Sequence, residues 1–469
     1  MKTSPKLIAF VRKLLLALAC LATLAALFVV VENWRGDRAW RALQEDFARR
    51  GARLDQAAFQ SPPVPTERDI FKAPLLADLI AKDSASSIRA KKIRDTAQLN
   101  RLEPFFDVVA GPTIDPGALR EKMKKAGLIA TASSENPAVD VLGAFAPAAE
   151  LLDSVCRAAR ERDSASATID FSTAPSGISL GALFDVGRLL VFRARMELAA
   201  GKADAALADT FAALRLGRSC TASSPKSVLS LLIGQALASH ATQPMHDAIP
   251  IHAWNERQFA ALQQQLEGFQ SLRDLAETIR VERVWALAFI DAAPSLGSRI
   301  SGVDWPWWMI HGWVQQNKVA YATAIEEQVL SLFSPADERI FPERIDAMSR
   351  IPLEVRPSRS PYRWLGNMTL ARLPDFVRAT GATANDIEQA ALVCALERYR
   401  LDHGAYPEKL ESLVPAYCAR LPRDTTDGAS FLYRTLADGS RQLEVSGQEP
   451  GAKNSGHFTP TVWALPAGA

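Results

Sequence analysis

Residues Leu14 to Val31 read LLLALACLATLAALFVVV, an apolar run of 18 residues that contains no charged residue, proline or glycine. A run of this length is about the shortest that crosses the hydrocarbon core of a bilayer as a helix. Trp34 and Trp40 follow it, at the depth where amphipathic aromatic rings favour the interface between lipid and water. The sequence therefore predicts a single-pass transmembrane helix over residues 14–31 that contacts membrane lipid.

The alternative for this run is a cleaved signal peptide. Small residues at Ala17 and Ala19, and again at Ala25 and Ala26, would suit a signal peptidase. The apolar run continues past these positions and is longer than the usual core of a signal peptide. We therefore expect a signal-anchor that remains in the mature protein.

Positive charge flanks the run on both sides, so charge alone gives only a shallow bias in orientation. The flanking basic residues are Lys2, Lys6, Arg12 and Lys13 before the run and Arg35, Arg38 and Arg41 after it. Long downstream domains are translocated largely regardless of charge. We expect residues 1–13 to form a cytoplasmic tail and the remainder to lie outside the cytoplasm, which for a bacterial inner membrane means the periplasm.

The composition describes a globular chain without a global charge that would recruit a partner. With 469 residues and 48% hydrophobic content, the chain has material for two or three packed domains. Lysine and arginine number 54 against 52 aspartate and glutamate residues, so no net field attracts nucleic acid. Strand-like alternation occurs only near the C-terminus. The predicted fold is mainly α, an irregular helical bundle with a small C-terminal α+β module.

Proline and glycine divide the chain downstream of the anchor. A charged helix from Asp37 to Arg50 is expected to end at Gly51, and three prolines follow between residues 62 and 65. A second proline-rich stretch, Arg350 to Pro361, indicates another boundary. The predicted segments are a stalk and connector over 32–68, a helical body over 69–349, a linker and helix over 350–380, and the α+β module over 381–469.

Apolar residues recur at helical spacing throughout the predicted body. Helices are expected at residues 147–162, 180–200, 202–216, 227–240, 254–289 and 314–333. Ala194, Gly201, Ala206 and Ala213 resemble the small-residue pattern of one tetratricopeptide hairpin, in which close helix crossing requires short side chains. No second copy follows at the repeat period of that family, so we predict an ordinary antiparallel helix pair.

The C-terminal module has the most specific local pattern in the chain. A helix with small apolar residues on one face is expected to end at Gly404. Two strands should follow it, Phe431 to Thr435 and Gln442 to Val445, joined by a turn at Asp438-Gly439. The apolar face of the helix comprises Ile387, Ala390, Ala391, Cys394 and Ala395.

The string Tyr399 to Pro407, YRLDHGAYP, is similar to the segment that ends the helix in the globular half of the major pseudopilin of type II secretion. The element Leu421 to Asp424 and Tyr433 also match that family. The resemblance implies a helix followed by an antiparallel sheet, and a location in the cell envelope. The family's methylation signature is absent, and its calcium loop corresponds to residues 446–456, whose only carboxylate is Glu449, so no calcium site is carried over.

The cysteines are compatible with an oxidising compartment. The four that lie outside the apolar run are an even number, Cys156, Cys220, Cys394 and Cys418. Cys394 and Cys418 lie in the same small module, 24 residues apart, and are the predicted disulfide. Two buried reduced thiols are the alternative.

The chain carries no recognisable catalytic or cofactor-binding motif, so we predict no cofactor, metal or catalytic residue. His240, His246 and His252 recur every six residues, which does not match the spacing of helical metal ligands. Asp402 and His403 are adjacent and would diverge on a helix, and His near a helix C-terminus is favoured by the helix dipole.

Four of the ten tryptophans lie within nine residues, at Trp305, Trp307, Trp308 and Trp313. Three interpretations are open: an aromatic core, a surface that enters the membrane interface, and an adhesive patch for a protein or glycan. Pro306 and Gly312 bracket the segment, which favours a short turn.

The combination of anchor, helical body and C-terminal module is similar to a group of uncharacterised bacterial membrane proteins, which implies an envelope location and no particular activity. The leading hypothesis is a membrane-tethered, non-catalytic protein that binds an unknown protein partner or acts as a scaffold, linked to secretion or surface assembly. The alternative is a periplasmic hydrolase whose site is assembled from dispersed residues. A concave polar pocket that contains a carboxylate or histidine with a shifted pKa would favour the hydrolase.

Overall fold

The structure is a computed structural model. It describes residues 5–55, 57–59, 64–81, 84–106, 111, 113–130, 134–165, 179–223, 226–296, 309–350, 362, 372–445 and 462–467. Three of the four clustered tryptophans, Trp305, Trp307 and Trp308, lie outside these residues, as do Pro62, Pro63 and the segment 446–456.

Helices account for most of the described residues, so the predicted mainly α fold is confirmed. The helices are α1 (Pro5–Arg49), α2 (Leu76–Ile80), α3 (Ser84–Thr96), α4 (Leu99–Leu102), α5 (Pro116–Lys125), α6 (Pro137–Gly143), α7 (Ala149–Glu161), α8 (Leu180–Ala199), α9 (Ala203–Ala222), α10 (Val228–Ala241), α11 (Gln243–Ala248), α12 (Glu256–Glu267), α13 (Ser271–Leu296), α14 (His311–Ala324), α15 (Pro342–Ser349) and α16 (Leu373–His403). The strands are β1 (Phe333–Ser334), β2 (Arg339–Ile340), β3 (Leu432–Thr435), β4 (Arg441–Glu444) and β5 (Trp463–Leu465).

Helix α1 continues without a break through both the predicted span and the predicted stalk. It has 45 residues, and Gly51 follows it with a φ of 70°, a conformation that suits glycine at a helix end. At 1.5 Å per residue the helix is about 68 Å long. Its N-terminal part is long and apolar enough to cross a membrane, a test that a signal sequence near the N-terminus also passes.

The chain divides into two compact units, each assembled from segments that are distant in sequence. The anchor unit comprises Met1–Ala58, Arg280–Ser331 and Asp346–Pro374, and the body unit comprises Phe59–Ile279, Leu332–Ile345 and Asp375–Ala469. The predicted body, 69–349, therefore contributes to both units, and the predicted module, 381–469, belongs to the body unit.

The core of the body unit is built around α8, α9 and α10. The turn between α8 and α9 contains Gly201 with a φ of 75°, and Ala194, Ala206 and Ala213 are fully buried. Helices α9 and α10 cross at two glycines, where a Cβ on Gly217 would lie 2.6 Å from the carbonyl oxygen of Gly234. Backbones approach this closely only where side chains are absent.

The C-terminal part of the body unit consists of α16 and a three-stranded antiparallel sheet in the order β3-β4-β5. The helix begins at Leu373 and ends before Gly404, whose φ is 77°, the end that the sequence predicted. The predicted hairpin is present, with Leu432 opposite Glu444 and Gly439 in the turn with a φ of 83°. The sequence did not predict β5, whose Trp463 is fully buried, or the short β1-β2 hairpin.

Candidate functional site

A groove in the body unit has one face of α16 as its floor. The floor residues recur at intervals of three and four, which places them on one side of a helix. They are Ala384, Ile387, Glu388, Ala391 and Leu392. Four of the five are apolar, so Glu388 is a single carboxylate within an apolar stripe.

The walls of the groove come from three distant parts of the sequence. One wall is the end of α12 and the start of α13, from Gln263 to Arg273, and the other is the segment Cys418 to Thr425. The β1-β2 turn adds Pro335 and Glu338. The groove comprises two cavities of about 230 and 320 Å³ that share the residues Glu267, Glu388 and Arg420.

Hydrogen bonds from α16 and α12 hold the loop wall in place. Asn385, on α16, donates to Asp424 Oδ1 at 2.9 Å and accepts from the amide of Thr425 at 2.8 Å. Gln263, on α12, donates to the carbonyl oxygen of Tyr417 at 2.7 Å. Both Asn385 and Asp424 are buried, so these bonds fix the loop on the helix that forms the floor.

Burial raises the pKa of Glu388 to about 7. Arg420 acts in the opposite direction and lowers this pKa, while the carboxylates of Glu338 and Glu267 raise it further. Among the described residues, Glu388 has no hydrogen-bond or ion-pair partner. The carboxyl group is therefore close to half ionised at neutral pH and is not engaged by the protein.

The other charges along the groove already have partners. Arg420 pairs with Glu338 at 2.6 Å, and Gln263 donates to Glu267 Oε1 at 2.7 Å. Arg423 donates to the carbonyl oxygen of Gly428 at 3.3 Å, and Arg273 to Gln270 Oε1 at 3.5 Å. Glu388 is thus the polar group of the floor that an occupant of the groove would meet first.

Replacing Glu388 by glutamine is expected to stabilise the protein at pH 8 and to change little at pH 4. The folded pKa, about 7, lies above the ordinary value of 4.5, so the ionised carboxyl destabilises the fold increasingly between these two pH values. Because the amide remains partly desolvated, we expect a gain of about 1–2 kcal/mol above pH 7. Thermal unfolding of both proteins at pH 4 and pH 8 measures the difference, and an equal shift at both pH values would contradict this assignment.

The predicted disulfide partners lie in different surroundings. Both Cys394 and Cys418 are free thiols in the structure. Cys394 is buried within α16, whereas Cys418 is half-buried in the groove wall, and burial raises the pKa of both thiols. The disulfide between them stays a prediction, which labelling of Cys418 without prior reduction would test.

The histidines take structural positions. His246 stacks on Trp463 with ring centroids 3.5 Å apart, and burial lowers its pKa to about 4. His403 stacks on Tyr399 at 4.0 Å, while Asp402 accepts a hydrogen bond from Tyr417 Oη at 2.7 Å. Within the part of the chain that the structure describes, no group of three or more His, Cys, Asp or Glu side chains is placed to hold a metal ion.

In the anchor unit, Trp313 lies beside the apolar run of α1. Its ring is 6.2 Å from that of Phe28 in an edge-to-face arrangement, and its Nε1 donates to Glu32 Oε2 at 3.1 Å. The hydroxyl of Tyr362 donates to the same oxygen at 3.1 Å, and Arg35 pairs with the other oxygen at 2.5 Å. Glu32 is consequently buried, although it directly follows the apolar run.

Helix α1 supplies the N-terminal cap of α14. Asn33 accepts a hydrogen bond from the amide of Gly312 at 2.8 Å, and Asp37 lies 2.9 Å from His311 Nε2. The residue at the cap position, Ile310, makes no side-chain cap. The first turn of a helix has unsatisfied N–H groups, so this contact satisfies one of them from another helix.

Replacing Asn33 by alanine is therefore expected to destabilise the anchor unit by about 1 kcal/mol, the usual cost of losing an N-terminal cap. Thermal unfolding of the detergent-solubilised protein measures this loss of stability. Asn33→Asp retains an acceptor and should keep most of the stability, and equal losses in the two variants would contradict the capping role.

Comparisons with known proteins give no relative for this chain: no family model, no curated protein and no solved structure matches it. The resemblance of the C-terminal module to a pseudopilin stays a prediction.

The sequence contains a signal for Glu388, although Glu388 is not among the predicted site residues. A carboxylate on the apolar face of a helix, next to Ile387 and Ala391, is unusual for a residue that only faces solvent. Among the described residues, the predicted sites belong to different units. Cys418 lies in the groove wall in the body unit, and Trp313 belongs to the anchor unit.

Proposed function

We propose that this chain is a single-pass inner-membrane protein whose periplasmic body binds other proteins, as a scaffold linked to secretion or surface assembly. The observation that carries the proposal is the division of α1 into two parts. The side chains of the apolar run are almost all exposed, whereas the following turns of the same helix pack against α14. A lipid bilayer would cover the exposed apolar run, while the following turns of the helix pack against protein.

The exposed apolar surface supports a membrane anchor. Leu16, Leu24 and Val30 each expose more than 60% of their surface, on a helix whose 18-residue apolar window has no buried residue. Soluble monomers rarely expose contiguous apolar patches of more than a few hundred Å². The apolar run rises about 27 Å, close to the thickness of a hydrocarbon core.

Aromatic residues at the end of the run support a position at the bilayer surface. Trp313 meets Phe28 inside the apolar run, and Trp34 is exposed with the guanidinium of Arg38 5.5 Å from its ring centre. Tryptophan and tyrosine are enriched at this depth of membrane proteins. Trp313 and Tyr362 also shield the carboxylate of Glu32 from lipid. Among the four clustered tryptophans, this favours the membrane-interface interpretation for Trp313.

A reporter fused after Ala469 and active only outside the cytoplasm tests the proposal, together with fractionation of the same cells. Activity in the membrane fraction is expected. Activity in the soluble fraction would mean that the apolar run is cleaved as a signal peptide. Membrane retention without activity would place the body in the cytoplasm and overturn the periplasmic scaffold.

A periplasmic hydrolase is the second candidate, because the groove contains a carboxyl group whose pKa is about 7, a value that suits a general acid or base. The thiol of Cys418 lines the same groove, but its raised pKa leaves less thiolate than a cysteine hydrolase needs for its nucleophile. Casein-derived peptides incubated with the purified protein separate the two candidates. Cleavage that is lost in Glu388→Gln would favour the hydrolase, and intact peptides would favour binding.

A further inference from the structure

We propose that the groove on α16 binds an extended peptide segment of a partner protein, with a lysine or arginine side chain of that segment paired with Glu388. The proposal rests on the binding function above and specifies the chemistry of the partner. It follows from the length of the groove, the apolar character of its floor and the lack of a partner for its central carboxylate.

The dimensions of the groove suit a short extended peptide. From Ala384 to Leu392 the floor rises about 12 Å along the helix axis. An extended chain advances about 3.3 Å per residue, so three or four residues would follow the floor. The two cavities meet at Glu388, which places the charged contact in the middle of such a segment and leaves space for a small side chain on either side.

The charges favour a cationic side chain. Glu388 has no partner among the described residues, and Glu267 and Glu338 face the same carboxyl group closely enough to raise its pKa. The arginine on the loop wall, Arg420, is paired with Glu338. A bound ammonium or guanidinium group would therefore satisfy the desolvated carboxylate of Glu388, whereas a carboxylate bound at the same point would be repelled by it.

The floor also suits the stem of such a side chain. Ile387, Ala391 and Leu392 line the cavities next to Glu388, where each exposes a small apolar area of 2 to 6% of its surface. Lysine and arginine side chains place their methylene groups along apolar surface and their charge on a polar group beyond it.

Binding should depend on pH through Glu388. The charged or titratable groups that line the groove with it are Glu267, Arg273, Glu338, Cys418, Arg420 and Arg423. Since the pKa of Glu388 is about 7, roughly one tenth of the empty sites are ionised at pH 6 and nine tenths at pH 8. A cation should accordingly bind about tenfold more weakly at pH 6 than at pH 8.

The accessible thiol of Cys418 provides the assay. Cys156, Cys220 and Cys394 are buried, so in a Cys20→Ser background Cys418 is the thiol that a water-soluble maleimide reaches. The full chain in detergent is treated with a reductant, freed of it, and then labelled in the presence of an acetylated, amidated pentapeptide with a central lysine and flanking alanines. The same peptide with glutamine in place of lysine is the control. Omitting the reductant tests the disulfide, because a bond between Cys394 and Cys418 would block labelling.

At pH 8 the lysine peptide is expected to slow the labelling of Cys418 at concentrations about tenfold lower than the glutamine peptide. Glu388→Gln should remove this difference, and Glu411→Gln, an exposed carboxylate outside the groove, should not. Ala419→Trp, on the exposed loop wall, should block both peptides and fill the groove without a change in charge.

Equal protection by the two peptides, or an unchanged difference in Glu388→Gln, would overturn the proposal. Mass spectrometry of the recovered peptide gives a further outcome, because cleavage would assign the groove to a hydrolase. The assay uses the solubilised protein and is independent of membrane topology. A cytoplasmic body in the reporter experiment would therefore refute the periplasmic scaffold and leave the groove measurement unaffected.

Discussion

Asp209→Ala is expected to lower the free energy of unfolding by about 3–5 kcal/mol, the cost of leaving a buried charge without its partner. Asp209 is 1% exposed and accepts hydrogen bonds from Arg193 Nε at 2.6 Å and Nη2 at 2.7 Å. The thiol of Cys156 donates to the same carboxylate at 3.0 Å. Removing the carboxylate leaves the guanidinium and the thiol in the core between α7, α8 and α9.

The control for this prediction is a second carboxylate on the same arginine. Asp153 accepts from Arg193 Nη1 at 2.9 Å, but its side chain is 62% exposed. Water screens the attraction in such an exposed pair and hydrates the arginine when the carboxylate is removed. Asp153→Ala should therefore cost less than about 1 kcal/mol. Thermal unfolding of the two variants under the same conditions compares them. Equal losses would mean that burial does not govern the strength of these ion pairs.

The nearby carboxylate of Glu197 should offset part of the stability that is lost in Asp209→Ala. Its carboxylate lies 3.9 Å from Arg193 Nε, and burial together with the charge of Asp209 raises its pKa to about 8. Without Asp209 the pKa of Glu197 should fall, so that it becomes the ionised partner of the arginine. The double variant Asp209→Ala and Glu197→Gln should therefore be less stable than Asp209→Ala alone, and replacing Arg193 and Asp209 together by Met and Leu should restore most of the stability.

Local sequence patterns predicted the helices and turns that are determined by residues close together in the chain. The apolar run of α1 follows from composition, the ends of α1 and α16 follow from Gly51 and Gly404, and the β3-β4 hairpin follows from Asp438-Gly439. These glycines take positive φ values that other residues rarely adopt. The amino acid itself therefore identifies the turn.

The groove could not be predicted in the same way. Its floor is one helix face, and Glu388 was identifiable there as a charge within an apolar stripe. Its walls come from residues 263–273, 335–338 and 418–425, and no local pattern indicates that these segments meet. The strand β5 was missed for a similar reason, since its three residues pair with β4 across a long intervening segment.

The continuity of α1 is a further case in which tertiary contacts decide the structure. The charged stretch from Asp37 to Arg50 reads as an isolated stalk in the sequence, because its partner lies more than 250 residues away in α14. Gly36 and Gly312 permit the contact. A Cβ on either residue would fall against the backbone of the other helix. A pair of glycines so far apart in the chain is visible only in the folded protein.

Gly312→Ala is accordingly expected to destabilise the anchor unit by about 3 kcal/mol, at the upper end of the usual cost of overpacking. The added methyl group would overlap the carbonyl oxygen of Glu32 and approach the backbone nitrogen of Asn33 to 2.7 Å. Backbone atoms cannot rotate away as a side chain would. The two helices must separate, which would also break the hydrogen bond from the amide of Gly312 to Asn33.

A matched control is the same substitution at Gly181, in α8, where an added Cβ meets no atom within 4 Å. Alanine there should be neutral or stabilise the helix by up to about 1 kcal/mol. Trypsin cleavage after Lys318 gives a local readout, because that side chain is 4% exposed, with its ammonium 4.0 Å from the ring centre of Trp40 and 2.8 Å from Asp291. New cleavage at Lys318 in Gly312→Ala and not in Gly181→Ala would show that α14 leaves α1, and equal resistance in both would mean that the glycine contact does not hold the anchor unit together.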